Sequence, residues 1–583
     1  MPSLFAWLRR IYSLDTLDTR FTASAITPNN STDTRPAAKD ARANSIAQNA
    51  RPSLWRTPEF FVYYLFFITL VPLMFKTVID ASKESNPAYA TYSELLSPGW
   101  IPGRLVDNSD AQYASVRDNI PYLFLLLVAH PIARRAYQSF SRRPNGGTKQ
   151  PSVATAGEVQ FDQRMRFDFA FGIIFIVALH GISALKIFFI LFVNYRIGKS
   201  LPRSYVPAAT WTFNICILFA NELLGGYQLE PIAMFLSPGS GTPSEKATLL
   251  VQWARQLDDF GGIMPRWEVL FKVTVLRLIS FNMDYYWSVD YPAASPIEKK
   301  QLDPTALSDR DRVKIPAEPA AFTPRNYIAY ILYSPLYLAG PILTFNDYAS
   351  QQRYTAPSLT RTRTILYGVR FFLTFLCMEF ILHYIYAVAI SKASPDWSVF
   401  TPGQLSMLAF FNLHIIWLKL LIPWRFFRLW ALVDGIDPPR KYGSLHHVQS
   451  SANPQLLAGV HLCRSLARYQ PPPIDVGLAS NALRSPRGFG WYDVPAKRWS
   501  SRPTTYRVLC GMGSVANVLM MMIANLVGFA LGLDGMKDLL AGLTGSYSGI
   551  AYMISCCIVL FVGVQVMFEI REDELRMGIN LKC

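Results

Sequence analysis

Four apolar runs limit this chain more than any other feature. They are "FFVYYLFFITLVPLMFKTVI" from Phe60, "FDFAFGIIFIVALHGISALKIFFILFV" from Phe167, "TILYGVRFFLTFLCMEFILHYIYAVAI" from Thr364 and "GIAYMISCCIVLFVGVQVMF" from Gly549. About 20 consecutive apolar residues let an α-helix cross the hydrocarbon core of a bilayer. Inside lipid every backbone N–H and C=O must be satisfied by the protein itself, which a helix does within one segment. Shorter runs lie at Ile120–Ile132, Val206–Leu223, Tyr327–Phe345, Leu405–Ile422 and Leu509–Leu531. Together they predict an all-α polytopic membrane protein with about nine to eleven membrane-embedded segments, some too short to span. Composition agrees: 51% of residues are hydrophobic and only 16% charged, against about 25% charged in soluble domains.

The net charge of +16 does not point to nucleic acid. The basic residues sit at helix ends and in loops ("LRR", "ARR", "RIGK", "PRK"), where they face anionic headgroups and follow the positive-inside bias. No basic stripe alternates with stacking aromatics. The seven cysteines, at 216, 377, 463, 510, 556, 557 and 583, are scattered without a CxxC pair, so neither a metal site nor a disulfide framework is expected. Cys583 lacks the three following residues of a prenylation box and reads as a free thiol.

The chain divides unevenly. Residues 1–52 are rich in Ser, Thr, Asn and Asp and read as a polar tail without a signal-peptide pattern. Residues 53–439 carry most of the apolar runs, and 506–583 carry the last ones. Two polar loops interrupt the first block, at Ser237–Gly262 (with a short helix) and Pro292–Ala320. No repeat of 20–50 residues is visible. Residues 440–505 differ from everything around them, with seven prolines and nine Lys/Arg against two Asp, and no membrane-length run. Such composition reads as a basic loop of low order.

Polar groups inside apolar segments are where membrane proteins keep their chemistry. The seven histidines are 130, 180, 383, 414, 446, 447 and 461. His130, before Pro131, suggests an interfacial position, and His180 beside Gly181 an interhelical hydrogen bond. Glu379 and His383, at i,i+4 spacing, could form a local ion pair or line a polar tunnel. His414 reads as a buried hydrogen-bonding group. No histidine has the spacing of a zinc motif, and no nucleophile elbow, Walker loop or dinucleotide glycine run is present.

Five distinctive strings extend the reading: "PSLWRTPEFFVYYLFFITLVPLMF", "GWIPGRLVDNSDAQYASVRDN", "GGIMPRWEVLFKVTVLRLISFNMDYYW", "NYIAYILYSPLYLAGPILTFNDY" and "FNLHIIWLKLLIPWRFFRLWALVDGIDPP". With "LMMMIANLVGFALGLDG" and "QVMFEIREDELRMGINLKC" near the end, they closely resemble the fungal glycerol uptake proteins of the membrane-bound O-acyltransferase superfamily. The resemblance covers about 52–439 and 506–583. It implies a helical core pierced by a tunnel, in the endoplasmic reticulum membrane or the plasma membrane as well. It implies acyl-CoA as co-substrate with no permanently bound cofactor, membrane lipids as surroundings, and GPI-anchored proteins as acceptors of a long acyl chain. Ser334–Tyr348 resembles a signature thought to line the reaction chamber. Tunnel or substrate-lining candidates are therefore Pro335, Tyr337, Gly340, Pro341, Phe345, Asn346, Glu379, His383, Trp417 and Trp424. Gly340–Pro341 should break a helix and free backbone groups to face a cavity. The family name also carries a second function, proton-coupled glycerol uptake. Its expected signs, paired intramembrane carboxylates and repeated broken helices, are weak here.

One departure bears on catalysis. After "GIDPP" the family has a stretch of the kind W-R-x-W-H-R-S-Y-N, then a helix ending in Trp-His-Asp, whose histidine is the presumed base. This chain has neither. Read one base out of frame, however, Arg440-Lys441-Tyr442 permits Glu-Asn-Met and Ser444-Leu445 permits Arg-Cys. "GVHLCRSLARYQ", Gly459–Gln470, permits V-F-T-F-V-A-L-W-H-D-I-S, which puts the family's Trp-His-Asp beneath Leu466, Ala467 and Arg468. A misplaced intron or an indel would produce this pattern, and would leave the written chain inactive. The alternative is genuine divergence into a histidine-less protein acting as a scaffold in the same membrane.

Overall fold

The apolar run that begins at Phe167 is two helices rather than one. In the computed structural model, which describes residues 48, 50–141, 153–236, 249–264, 266–290, 305, 307, 309–439, 502–529 and 531–576, Val153–His180 and Ser183–Ser200 are separate helices. Gly181 between them has φ +52°, a left-handed conformation that glycine adopts without steric cost. The Tyr327–Phe345 run is likewise no span. It forms two short helices, Pro324–Ile331 and Ser334–Tyr337, followed by an irregular stretch up to the helix Phe345–Arg353. Pro335 cannot continue the earlier helix, and Gly340 lies at φ +119°. By contrast the Leu405–Ile422 run belongs to a longer helix, Pro402–Val433, which tolerates an internal Pro423.

Five described helices are long and apolar enough to cross a membrane: Pro58–Ala81, Arg361–Tyr384, Pro402–Val433, Pro503–Phe529 and Tyr547–Arg576. Other long helices, including Ile120–Ser141 and Trp267–Ser288, lack an equally apolar stretch of that length. Among the described residues the only sheet is one antiparallel hairpin, Ser97–Pro98 with Leu105–Val106. On Pro58–Ala81 the side chains of Phe61, Leu65, Ile68 and Leu73 are more than half exposed. A water-facing surface rarely presents such a patch, whereas lipid tails cover it readily. The protein is an all-α, multi-pass membrane protein.

The chain forms two compact units. The first takes the described residues of 1–119, 370–422 and 470–583, and the second those of 120–369 and 423–469. In the first, the outer helices are pinned by charge pairs and short polar bridges. Arg507 donates to both oxygens of Glu59 at 2.6 Å, the backbone N–H of Leu54 donates to Glu569 at 2.9 Å, and Ser406 bonds Tyr552 at 2.6 Å.

In the second unit, buried amides tie three helices together. Asn214 donates to the Asn194 side chain at 2.8 Å. Asn282 donates to the Asn194 carbonyl at 3.0 Å and to Thr210 at 3.2 Å. Side-chain amides bonding across helices are typical glue where lipid gives no hydrophobic drive for association. Gly198 makes room, since a Cβ there would lie 2.5 Å from the Asn282 side-chain oxygen.

Candidate functional site

The stretch that resembles the family signature lies in the second unit and is largely buried. Pro335, Tyr337, Gly340, Pro341, Phe345 and Asn346 are all buried. Breaking the helix leaves carbonyls without intrahelical partners, and Arg277, itself buried, takes two of them. Its guanidinium donates to the Ile331 carbonyl at 3.1 Å and to the Leu336 carbonyl. Tyr330 donates its hydroxyl to the Leu343 carbonyl at 2.6 Å. Phe345 packs against Phe281, Phe322 and Tyr330. Asn346 accepts from the Ala317 N–H at 2.9 Å, and its own N–H donates to Asp284 at 3.3 Å.

His180 holds the same stretch from the neighbouring break. One ring nitrogen bonds the Met264 carbonyl at 2.8 Å and the other bonds the Tyr337 hydroxyl at 3.2 Å. Around it, Ile182 donates to the Phe260 carbonyl at 3.0 Å and Met264 to that of Leu179 at 2.7 Å. The expected interhelical hydrogen bond of His180 is therefore present, and it joins two interruptions of helical structure.

Sequence reading missed the charged cluster attached to this stretch. Tyr333 donates its hydroxyl to Asp434 at 2.6 Å. Arg134 bridges Asp434 and Asp168, the latter at 3.1 Å, and also donates to Gln352 at 2.9 Å. Tyr348 and Gln352 donate to the same Asp168 oxygen at 2.5 and 2.7 Å. His130 is 3.5 Å from the second Asp434 oxygen, boxed in by the rings of Phe167, Phe171 and Trp430. Its side chain is 1% exposed, so His130 is buried within the helix Ile120–Ser141 rather than set at a helix end as expected. The physical reason is Asp434, a carboxylate that the sequence places 304 residues away and the fold places opposite.

A second tier follows in the turn after Val433. Arg428 pairs with Asp437 at 2.8 Å, and Asp437 donates its N–H to Gln351 at 2.7 Å. Gln351 donates to Asp347 at 2.8 Å, and Arg312 pairs with that same Asp347 oxygen at 2.8 Å. Gly435, at φ +93°, allows the turn. Charges buried this deeply persist only when paired and hydrogen-bonded. A His–Asp pair can in principle relay a proton. Here Asp434 is already engaged by Arg134 and Tyr333 and His130 is sealed by aromatic rings, so the cluster is built to hold the turn Asp434–Pro439.

The remaining candidates fall elsewhere. Glu379, His383 and Trp417 belong to the first unit, whereas Trp424 belongs to the second and is half-buried. Glu379 accepts from Trp100 at 2.8 Å and from Arg117 at 3.1 Å. His383 bonds the Glu379 backbone carbonyl at 2.7 Å, and its ring edge is covered by Gly99, where a Cβ would come within 2.8 Å of Nε2. Trp417 is 58% exposed. Nearby, Asp107 accepts the N–H groups of Val388 and Ala389 at 3.0 and 2.9 Å. Burial pushes its carboxyl above the ordinary value, although those N–H groups and that of Ser109 oppose the shift. No group of three or more His, Cys, Asp or Glu able to hold a metal occurs among the described residues. Leu466, Ala467 and Arg468, and the segment 440–505 as far as Ser501, lie outside the described residues.

Fold and site together define a multi-pass helical membrane protein with a buried, broken helix fastened by charged side chains. The profile of MBOAT, the membrane-bound O-acyltransferase family, matches residues 207–466. The membrane-bound O-acyltransferase GUP1 of Candida tropicalis is 39% identical over 607 aligned positions, covering 98% of this chain and 95% of its own length. GUP1 of Saccharomyces cerevisiae is 37% identical over 94% of this chain, and gup1 of Schizosaccharomyces pombe is 32% identical over a similar share, 94%. The 607 aligned positions exceed the 583 residues present, so part of the Candida protein has no counterpart here. The chain belongs to the membrane-bound O-acyltransferase family.

Proposed function

We propose that the gene encodes an enzyme that transfers a long acyl chain from acyl-CoA to a lipid hydroxyl, the acceptor being the lyso-lipid of a GPI anchor on proteins in the endoplasmic reticulum. We further propose that the chain as written does not catalyse this step. Acyl-CoA serves as co-substrate, and no resident cofactor is needed. Attack of an alcohol on a thioester requires a general base near the hydroxyl, and histidine suits that task because its ordinary pKa of about 6.5 lets it take and return a proton.

The observation that carries the reading is the position of the histidines. Of the four described, His130, His180 and His383 are at most 1% exposed; His180 bonds protein groups through both ring nitrogens, His383 bonds the Glu379 carbonyl, and His130 lies 3.5 Å from Asp434. His414 is half-buried, with one nitrogen bonded to the carbonyl of Phe410 at 2.8 Å in its own helix. None is presented to a substrate. The base must therefore come from the segment after Pro439, where the written chain lacks the family's Trp-His-Asp and the alternate frame under Leu466, Ala467 and Arg468 permits it.

Complementation of a strain lacking the gene tests both parts. A frame-corrected gene is expected to restore the long acyl chain of GPI anchors, and the chain as written is expected to leave them unremodelled, both read by lipid mass spectrometry. Sequencing the transcript across codons 435–510 is expected to find the alternate frame intact. Full activity of the written chain would refute its proposed inactivity, and failure of the corrected gene would refute the acyl-transfer reading.

A further inference from the structure

The helices Leu229–Leu236 and Leu249–Asp259, in the second unit, expose a surface that the buried site does not use. Ala233, Val251 and Ala254 form a small core between them, with Leu229 packed against it. Asp258 closes the pair, its carboxylate accepting the N–H groups of Leu229 and Glu230 at 2.6 and 2.9 Å.

The longer helix has two outward flanks of opposite character. Trp253, Leu257 and Phe260, the last just past the helix end, follow at i, i+4 and i+7 and are 61%, 38% and 71% exposed. Gln252, Arg255, Gln256 and Asp259 make up the other exposed flank. Ile263, and Ile232 and Met234 of the shorter helix, are exposed as well. The apolar side of an amphipathic helix normally faces a core. Here the core takes only Val251 and Ala254, and an apolar stripe is left outside.

Three contacts fix where that stripe sits. Ile182 donates to the Phe260 carbonyl at 3.0 Å, Lys186 reaches Asp258 at 3.7 Å, and the Trp267 indole donates to the Gly226 carbonyl at 3.3 Å. The pair is thereby tied to the ends of the helices Val153–His180 and Val206–Leu223 and to the start of Trp267–Ser288. Membrane helices end at the headgroup level, where Trp and Tyr are favoured, and Tyr227 stacks on Trp267 in this region. Leu223 and Leu224, both at least 60% exposed, carry the apolar surface over from the helix Val206–Leu223. Charge selects the kind of lipid. Residues 222–268 hold six acidic side chains against three basic ones, whereas interfacial helices drawn to anionic lipid are rich in Lys and Arg.

From this arrangement we infer that the helix pair lies on the bilayer, with Trp253, Leu257, Phe260 and Ile263 set into the headgroup–acyl boundary of zwitterionic phospholipid. Apolar burial holds it there, without attraction to anionic headgroups. The region 237–262, expected from sequence to be a polar loop, thus contributes a membrane-contacting surface. The inference is independent of the acyl-transfer reading, since it needs none of the residues after Pro439.

Spin-label accessibility tests it on the full chain in phosphatidylcholine nanodiscs, with the seven native cysteines replaced by serine. Labels at Trp253→Cys, Leu257→Cys and Ile263→Cys should be relaxed more by oxygen, which concentrates in hydrocarbon, than by a water-soluble nickel chelate. Labels at Gln252→Cys and Gln256→Cys should show the reverse. Replacing part of the phosphatidylcholine by phosphatidylserine should leave these ratios unchanged. Nickel access dominating at all five positions would overturn the proposal and leave the face to a protein partner. Oxygen dominating at all five would overturn it in favour of a segment inside the hydrocarbon, and a shift toward oxygen with phosphatidylserine would overturn the choice of zwitterionic lipid. If the serine background gives no cooperative thermal melt, the unaltered chain decides. A phosphatidylcholine with a diazirine near its headgroup should then label peptides covering 249–264, and their remaining unlabelled would overturn the proposal.

Discussion

At Gly181 a Cβ would lie 2.2 Å from the Phe260 carbonyl oxygen, and at Gly262 one would lie 2.6 Å from the Gly181 nitrogen. Two backbones touch there, each with a positive φ of 52° and 70°. Gly181→Ala therefore brings both a clash and a disfavoured conformation, the latter alone costing about 1–3 kcal/mol. A clear drop in melting temperature in detergent is expected, and a variant melting with the unaltered protein would contradict this contact. Arg134 offers the electrostatic counterpart. Arg134→Met leaves Asp168 and Asp434 without their shared cation, and breaking a buried ion pair costs about 3–5 kcal/mol. Denaturant unfolding should show that loss, and adding Asp434→Asn to Arg134→Met should cost less than the two separate losses combined, because the pair acts as one unit.

At the scale of elements, interruptions matter more than spans. The hairpin Ser97–Pro98 with Leu105–Val106 leads into Asp107, whose carboxylate holds the start of the helix Ala387–Ala393 through the N–H groups of Val388 and Ala389. Because burial raises the Asp107 carboxyl above its ordinary value, the folded protein keeps a proton there that the unfolded chain releases at about pH 4. Between that pH and the raised folded value, stability falls as pH rises. Asp107→Asn cannot titrate, so its melting temperature should vary less with pH across this window. An unchanged pH profile would remove Asp107 from this role. The sequence signalled one of these interruptions. Gly340–Pro341 announced a broken helix, but the Gly181 break was hidden inside an unbroken apolar run. Composition cannot distinguish one long helix from two when the turn residue is a single glycine.

At the scale of the molecule, the bilayer explains a surface that water would not tolerate. Cys216 and Cys377 are exposed on their helices, within Val206–Leu223 and Arg361–Tyr384. In intact membranes lipid should cover both thiols, so a membrane-impermeant maleimide should label them only after denaturation in SDS. Ready labelling in sealed and opened vesicles alike would place these helices outside the hydrocarbon. The family strings, long and distinctive, were legible over about 52–439 and 506–583, and the comparisons bear out the family they pointed to.

What the sequence determined by itself was the solvent, the helical class and the family, because each depends on local runs of residues: apolar length for the bilayer, unsatisfied backbone for the helix, unbroken strings for the kinship. What only the tertiary structure decided was the partnership of distant polar groups. Asp434 with His130 and Arg134, and Arg277 with the carbonyls of Ile331 and Leu336, are pairs 54 to 304 residues apart in sequence. A buried charge or amide is stable only beside the group that satisfies it, and which group that is depends on how the helices pack.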